Sequence, residues 1–167
     1  MIGNDIIDLE LSKKQSNWKR QGFLDKLFTT EEKVMISNAP IPEIMVWNLW
    51  SRKEAAYKIY QRQTGIRGFI PKQLQCSDCE NIDGEILGKV SINETQYFTK
   101  TIINCDCIHT IAVVNIEDFG KIQTVERNFI SKDDFGIPFH SINKNPVSIS
   151  HHGRFEKRIQ LELDVQS

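Results

Sequence analysis

Trp50-Ser51-Arg52-Lys53-Glu54-Ala55-Ala56-Tyr57-Lys58 decides the fold, because it sets one carboxylate among aromatic and alanine side chains with no helix breaker. Outward from it, Met45, Trp47, Leu49, Ile59 and Tyr60 spread apolar positions over more than one face. That spacing predicts a helix from Glu43 to about Arg62, buried on several sides. Pro40 and Pro42 punctuate its start, and Gly65 or Gly68 offers the left-handed residue that ends it. A helix that is apolar all round needs cover from other elements, so it is read as the central one.

Upstream, Ile2 to Leu9 reads as a short strand, with Asp5 and Ile7 on one face and Ile6 and Asp8 on the other. From about Ser12 a polar helix follows, with Trp18, Phe23, Leu24, Leu27 and Phe28 facing inward. Thr29-Thr30-Glu31-Glu32 fits a capping box, so a new short helix starts there. Downstream of Gly68 the apolar period moves from 3.6 towards 2. Strands are expected at Ile86 to Ile92, Gln96 to Asn104 and Cys107 to Val114, with short polar connections that suit an antiparallel meander. Glu117 to Asp134 is polar and punctuated, either a short helix or an excursion. Phe135 to Phe139 and Pro146 to Gly153 look extended, and Phe155 to Leu163 alternates as a last strand. The fold class is therefore α+β, a mixed or mainly antiparallel sheet packed against a central helix, in one domain over residues 1–167.

Of 167 residues, 40% are hydrophobic and 26% charged, enough apolar matter for a core and against disorder over most of the chain. A formal net charge of -1 supplies no global positive field, so nucleic acid is not an expected partner. No stretch approaches the roughly 18 apolar residues of a membrane span, and a membrane role is not expected. Asp5 and Asp8 stand where a secretory leader would carry basic and then apolar residues, which points to the cytoplasm. Cys76, Cys79, Cys105 and Cys107 could form a four-thiolate zinc site in a zinc-stabilised interaction protein. The tight Cys105-Asp106-Cys107 spacing favours free thiols instead.

Two carboxylates stand in apolar surroundings, Asp5 on the first strand and Glu54 on the central helix. A carboxylate so placed is costly unless paired or bound to a cation. Together they could hold Mg²⁺, which needs only one or two carboxylates when phosphate oxygens complete its shell. Alternatively Glu54 simply pairs with Lys58 at i,i+4, a bond worth about 0.2–0.5 kcal/mol. Lys58 shares a helical face with Glu54, an arrangement suited to a diphosphate. Arg52 and Lys53 point around the helix and read as a solvated basic edge. Lys13, Lys14, Lys19, Arg20 and Lys26 form either a wet face or a surface for an acidic partner. Ser148-Ile149-Ser150-His151-His152-Gly153-Arg154 gathers hydroxyls, imidazoles and a guanidinium, which suits anion binding or proton transfer. No Gly-x-Ser-x-Gly elbow, phosphate loop or dinucleotide fingerprint occurs, and His109 and His140 read as structural.

Three segments together resemble the 4'-phosphopantetheinyl transferase superfamily, particularly its short holo-acyl-carrier-protein synthase branch. Gly3-Asn4-Asp5-Ile6-Ile7-Asp8 is similar to its N-terminal glycine and aspartate strand, and Phe23 to Glu32 to its "F...FT..E" segment. The stretch from Trp50 to Lys58 is similar to its "W..KEA..K" helix. The resemblance implies Asp5 and Glu54 as metal ligands for Mg²⁺, and Asp5, Glu54 and Lys58 as the catalytic set. It implies Lys58 as a contact to the coenzyme A phosphates, with Lys53, Ser150, His151 and Arg154 as further coenzyme contacts. Gly136-Ile137-Pro138 and Val147 to His151 resemble the family's "G.P" and "S.SH" segments, although His109 to Val114 resembles the strand that normally follows that histidine. The implied activity is transfer of 4'-phosphopantetheine from coenzyme A to a serine of an acyl or aryl carrier protein, with a place in lipid biosynthesis. Short members assemble as homotrimers. A module that keeps the fold and binds carrier or coenzyme A without turnover is the alternative.

Overall fold

The computed structural model describes residues 1–163. It opens with strand β1 (Ile2–Asp8), followed by helices α1 (Leu9–Gln15), α2 (Phe23–Leu27), α3 (Thr30–Asn38) and the long α4 (Pro42–Thr64). Four strands follow as a meander, β2 (Gln75–Ile82), β3 (Glu85–Ile92), β4 (Thr95–Ile103) and β5 (Cys107–Val113). The remainder holds β6 (Ile122–Thr124), β7 (Ile130–Lys132), β8 (Pro138–His140), β9 (Val147–His152) and β10 (Phe155–Leu161). Its sheets are β1-β5-β4-β3-β2, β6-β10-β9 and β7-β8, antiparallel throughout. The α+β reading, with an antiparallel sheet against a central helix, is what forms.

Helix α4 lies across the five-stranded sheet. Val46, Leu49, Ala55, Ala56 and Ile59 are fully buried with Val90, Ile92, Tyr97 and Ile108 from the strands. Two glycines permit this arrangement. Gly3 lets β1 run directly beneath the helix, where any Cβ would collide with the Ala55 carbonyl oxygen. Gly65, at φ 70°, caps the C-terminus in the left-handed conformation that L side chains adopt only at a cost. The capping box of α3 is complete, with Glu32 N–H donating to Thr29 Oγ1 at 3.2 Å and Thr29 N–H to Glu32 Oε2 at 2.9 Å.

Several expectations are corrected. The polar helix after Ser12 is two short helices, α1 ending at the extended Ser16 and α2 starting after Gly22, whose φ of 79° is left-handed. Strand β2 carries Cys76 and Cys79 and was not anticipated, its apolar alternation being obscured by polar side chains. Glu117 to Asp134 is an excursion of two 3-10 turns and the short strands β6 and β7. Cys76 and Cys79 stand on β2 and Cys107 on β5, with Cys105 in the turn before it, and β3 and β4 separate β2 from β5 by three spacings or about 14 Å. Among the described residues no cluster of three or more His, Cys, Asp or Glu side chains could hold a metal, which excludes the four-thiolate zinc site.

Arg52 and Lys53 are not a solvated edge, since both are fully buried. Arg52 donates from Nη2 to the carbonyls of Ser77 at 2.6 Å and Lys89 at 2.8 Å, and from Nε to Thr99 Oγ1 at 3.1 Å. It thereby ties α4 to β2, β3 and β4, using a carbonyl beside the bulge between Ser77 and Glu80. Lys53 Nζ donates to Glu32 Oε2 at 2.7 Å and to the carbonyls of Leu27 at 2.9 Å and Pro71 at 2.7 Å. Glu32 also accepts the Cys76 N–H at 2.7 Å, so the capping acid doubles as the counter-ion of a dry interior. No helix among the described residues is long and apolar enough to cross a membrane.

Candidate functional site

Strand β1 has β5 on one side, and β9 runs along its other edge without a backbone ladder. Side chains replace that ladder. Asn4 N–H donates to Ser148 Oγ at 2.9 Å, Ile6 N–H to Ser150 Oγ at 3.0 Å, and Asp8 N–H to His152 Nδ1 at 2.9 Å. Each pair is separated by 144 residues, so β9 runs parallel to β1, and every second residue of β9 satisfies an otherwise orphaned donor. The signal was visible as Ser148-x-Ser150-x-His152, a period-2 pattern of acceptors, but nothing in the sequence says which strand it faces.

This contact organises the candidate site. Ser150 Oγ donates to Asp5 Oδ1 at 3.2 Å, leaving the buried Asp5 Oδ2 without a hydrogen-bond partner. Lys58 Nζ donates to the carbonyls of Asn4 at 2.6 Å and Ile149 at 3.1 Å, and one of its three N–H groups remains. The surface pair between Glu54 and Lys58 is not made among the described residues, and Glu54 accepts no hydrogen bond there. Burial pushes Asp5 up to about 6, against the pull of Lys58. Burial and then the Asp5 charge push Glu54 up to about 7. Desolvation lowers Lys58, which both carboxylates oppose. Two neighbouring carboxylates of raised proton affinity, one with an orphaned oxygen, are what a divalent cation would relieve. Asp5 and Glu54 therefore fit Mg²⁺.

Asn4 holds the site from behind. Its Oδ1 accepts from Ser148 Oγ at 2.7 Å, and its Nδ2 donates to the Lys157 carbonyl at 3.2 Å and lies 3.2 Å from His109 Nε2. Burial pulls His109 down to about 4, so its ring is neutral at pH 7 and accepts from Asn4. Asp8, also missed as a structural residue, caps α1 and forms a two-pronged pair with Arg154, both contacts at 2.9 Å. That guanidinium holds the Asp8 carboxyl well below the usual carboxylate range.

Sequence-predicted site residues thus separate into two groups. Asp5, Glu54, Lys58, Ser150 and His151 come together, whereas Lys53 is sealed in the core with Glu32 and Arg154 is engaged by Asp8. Two cavities meet at the first group. One, of about 380 Å³, is lined by Asp5, Glu54, Trp47, Trp50 and Phe23, with Arg20 from the α1–α2 connection and Lys26 from α2. The other, of about 890 Å³, is lined by Lys58, Arg62, Arg67 and Lys132. His151 lines both.

A family model described as the 4'-phosphopantetheinyl transferase superfamily matches residues 1–103. The chain belongs to that superfamily. The match covers β1, all of α4 and the meander as far as β4, and so contains Asp5, Glu54 and Lys58. It leaves out β9, so Ser150 and His151 enter the site from a segment beyond the matched residues. Membership supports a function of the phosphopantetheinyl-transfer type. A search among curated proteins returns no match.

Proposed function

We propose that the protein is a Mg²⁺-dependent 4'-phosphopantetheinyl transferase that uses coenzyme A and the serine of an acyl or aryl carrier protein. The observation that carries this reading is that two unlike cavities share His151, with Asp5 and Glu54 lining one and Lys58 the other. The basic cavity suits the phosphates of the adenosine 3',5'-bisphosphate half of coenzyme A. Through the aromatic one, flanked by Arg20 and Lys26, an acidic carrier can present its serine.

Asp5 and Glu54 would hold Mg²⁺. When bound, that ion supplies charge stabilisation at the diphosphate. Lys58, fixed by two carbonyls, has one N–H left for the same oxygens. Ser150 holds Asp5 by Oδ1, which leaves Oδ2 available to the cation. Glu54 takes the proton of the carrier serine as the serine oxygen attacks the phosphorus bearing the pantetheine. A new serine O–P bond forms, the P–O bond within the diphosphate breaks, and adenosine 3',5'-bisphosphate leaves with the electron pair.

The test is mass spectrometry of several carrier proteins incubated with the protein, coenzyme A and Mg²⁺. One phosphopantetheine added to the carrier serine is expected, and its absence from every carrier would sink the reading. Glu54→Ala should abolish the gain while leaving carrier binding intact. A wild type that binds carrier without modifying it would instead be a non-catalytic module. The homotrimer of short family members belongs to the same proposal and is counted by light scattering.

A further inference from the structure

Strand β9 lies beyond the residues that the family match covers, and no backbone ladder ties it to β1 among the described residues. Its register is therefore set by side chains. The acceptors Ser148, Ser150 and His152 meet the N–H groups of Asn4, Ile6 and Asp8, in steps of two residues on both strands. A repeat of this kind is degenerate. Sliding β9 by two residues either way would still give two of the three acceptors a donor, yet it would replace Ser150 beside Asp5 and Ile149 beside Lys58. Something outside the repeat has to choose.

Asn4 makes that choice at one end. It is fully buried, and each of its polar atoms is used. Its backbone N–H donates to Ser148 Oγ at 2.9 Å, and the same hydroxyl donates back to Asn4 Oδ1 at 2.7 Å. Its Nδ2 donates one hydrogen to the Lys157 carbonyl on β10 and the other to His109 Nε2 on β5, each at 3.2 Å. Those two acceptors fix which way the amide points. If β9 slid one way, Pro146 would face Asn4, and with no hydroxyl it would leave Oδ1 orphaned in the interior. The opposite slide would displace Arg154 from its two-pronged bond with Asp8, which holds the other end. In the register so chosen, Lys58 Nζ donates to the Asn4 carbonyl at 2.6 Å and to the Ile149 carbonyl at 3.1 Å. The residue that selects the register is thus also an anchor of the lysine that the register serves.

We infer that Asn4 is a positioning residue: through Ser148 it sets the register of β9 on β1, and so delivers the Ile149 carbonyl to Lys58 and the Ser150 hydroxyl to Asp5. His109 and the Lys157 carbonyl act through Asn4, holding its amide in the orientation that presents Oδ1 to Ser148. Asn4 orders the groups of the site and touches no reacting atom. This rests on the coenzyme reading of Lys58 only where coenzyme affinity is measured.

The test follows Lys58 in two ways on the full chain: the rate at which an amine-acylating reagent labels its Nζ, read by mass spectrometry, and calorimetric titration with coenzyme A and Mg²⁺. Asn4→Ala and Ser148→Ala should each speed labelling by about tenfold, the worth of one hydrogen bond to a charged group. Each should weaken coenzyme A by about 10- to 100-fold, as loss of the outer partners that orient a site's ligands does. The double variant should add little to either single, since both remove the same link. Thr29→Ala opens the α3 cap and so loses stability alone, and it should leave labelling and affinity near wild type. Unchanged labelling in Asn4→Ala and Ser148→Ala, or an equal rise in Thr29→Ala, would overturn the inference and leave the coenzyme reading standing. A wild type that binds no coenzyme A would overturn that reading, while labelling still decides the role of Asn4.

Discussion

Replacing Lys53 by methionine separates a structural lysine from a coenzyme contact. In the folded chain Lys53 and Glu32 form a 2.7 Å pair with both side chains at 0% exposure. Lys53→Met leaves the Glu32 carboxylate in the interior with only the Thr29 and Cys76 N–H groups as donors. It also leaves the carbonyls of Leu27 and Pro71 without this donor. Removing one member of a buried ion pair costs about 3–5 kcal/mol. For a chain of this length that is a fall in Tm of roughly 10 °C. The assay is thermal unfolding of wild type, Lys53→Met, Glu32→Gln and the double variant, with coenzyme A titrated into each below its transition. The double variant should lose less than the sum of the singles, since it leaves no unpaired charge, by about 0.5–3 kcal/mol. Coenzyme A affinity should stay near wild type in folded Lys53→Met. An unchanged Tm together with lost coenzyme A binding would refute this account and return Lys53 to the phosphate site.

Two further outcomes are expected. Asp5 and Glu54 bind protons more tightly folded than unfolded, so between about pH 4 and 7 the unfolded chain loses its protons first, and metal-free stability falls as pH rises through that window. The rise in Tm produced by saturating Mg²⁺ should therefore grow from about pH 5 to about pH 7.5, and a rise independent of pH would contradict the carboxylate pair as its site. Gly3→Ala should cost about 1–3 kcal/mol by forcing β1 away from α4, whereas Gly120→Ala, which meets nothing within 4 Å, should be neutral; chemical denaturation compares them.

Much of the fold was legible because it depends on local patterns. The capping box at Thr29, the multi-faced apolar set of α4 and the meander from Glu85 to Val113 each follow from side chains a few residues apart. Strand β2 was not legible because its pattern only makes sense once Arg52 is known to bond the Ser77 carbonyl from a helix 25 residues away. Asp5, Glu54 and Lys58 were legible as chemistry, since charge among apolar residues is conspicuous. Arg52 and Lys53 sit on the same helix and were misread as solvated, because burial of a cation is decided by partners such as Glu32 and the β-strand carbonyls.

The sequence by itself determined the helix that carries Glu54 and Lys58, the strand that carries Asp5, and the type of chemistry those groups can perform. Only the tertiary structure decided that β9 lies against β1. There Ser148, Ser150 and His152 satisfy the donors of that edge, and Ser150 and Ile149 anchor Asp5 and Lys58. The physical reason is that a side-chain acceptor has no partner until the chain has closed a loop of 144 residues, and no local propensity encodes which edge it will meet.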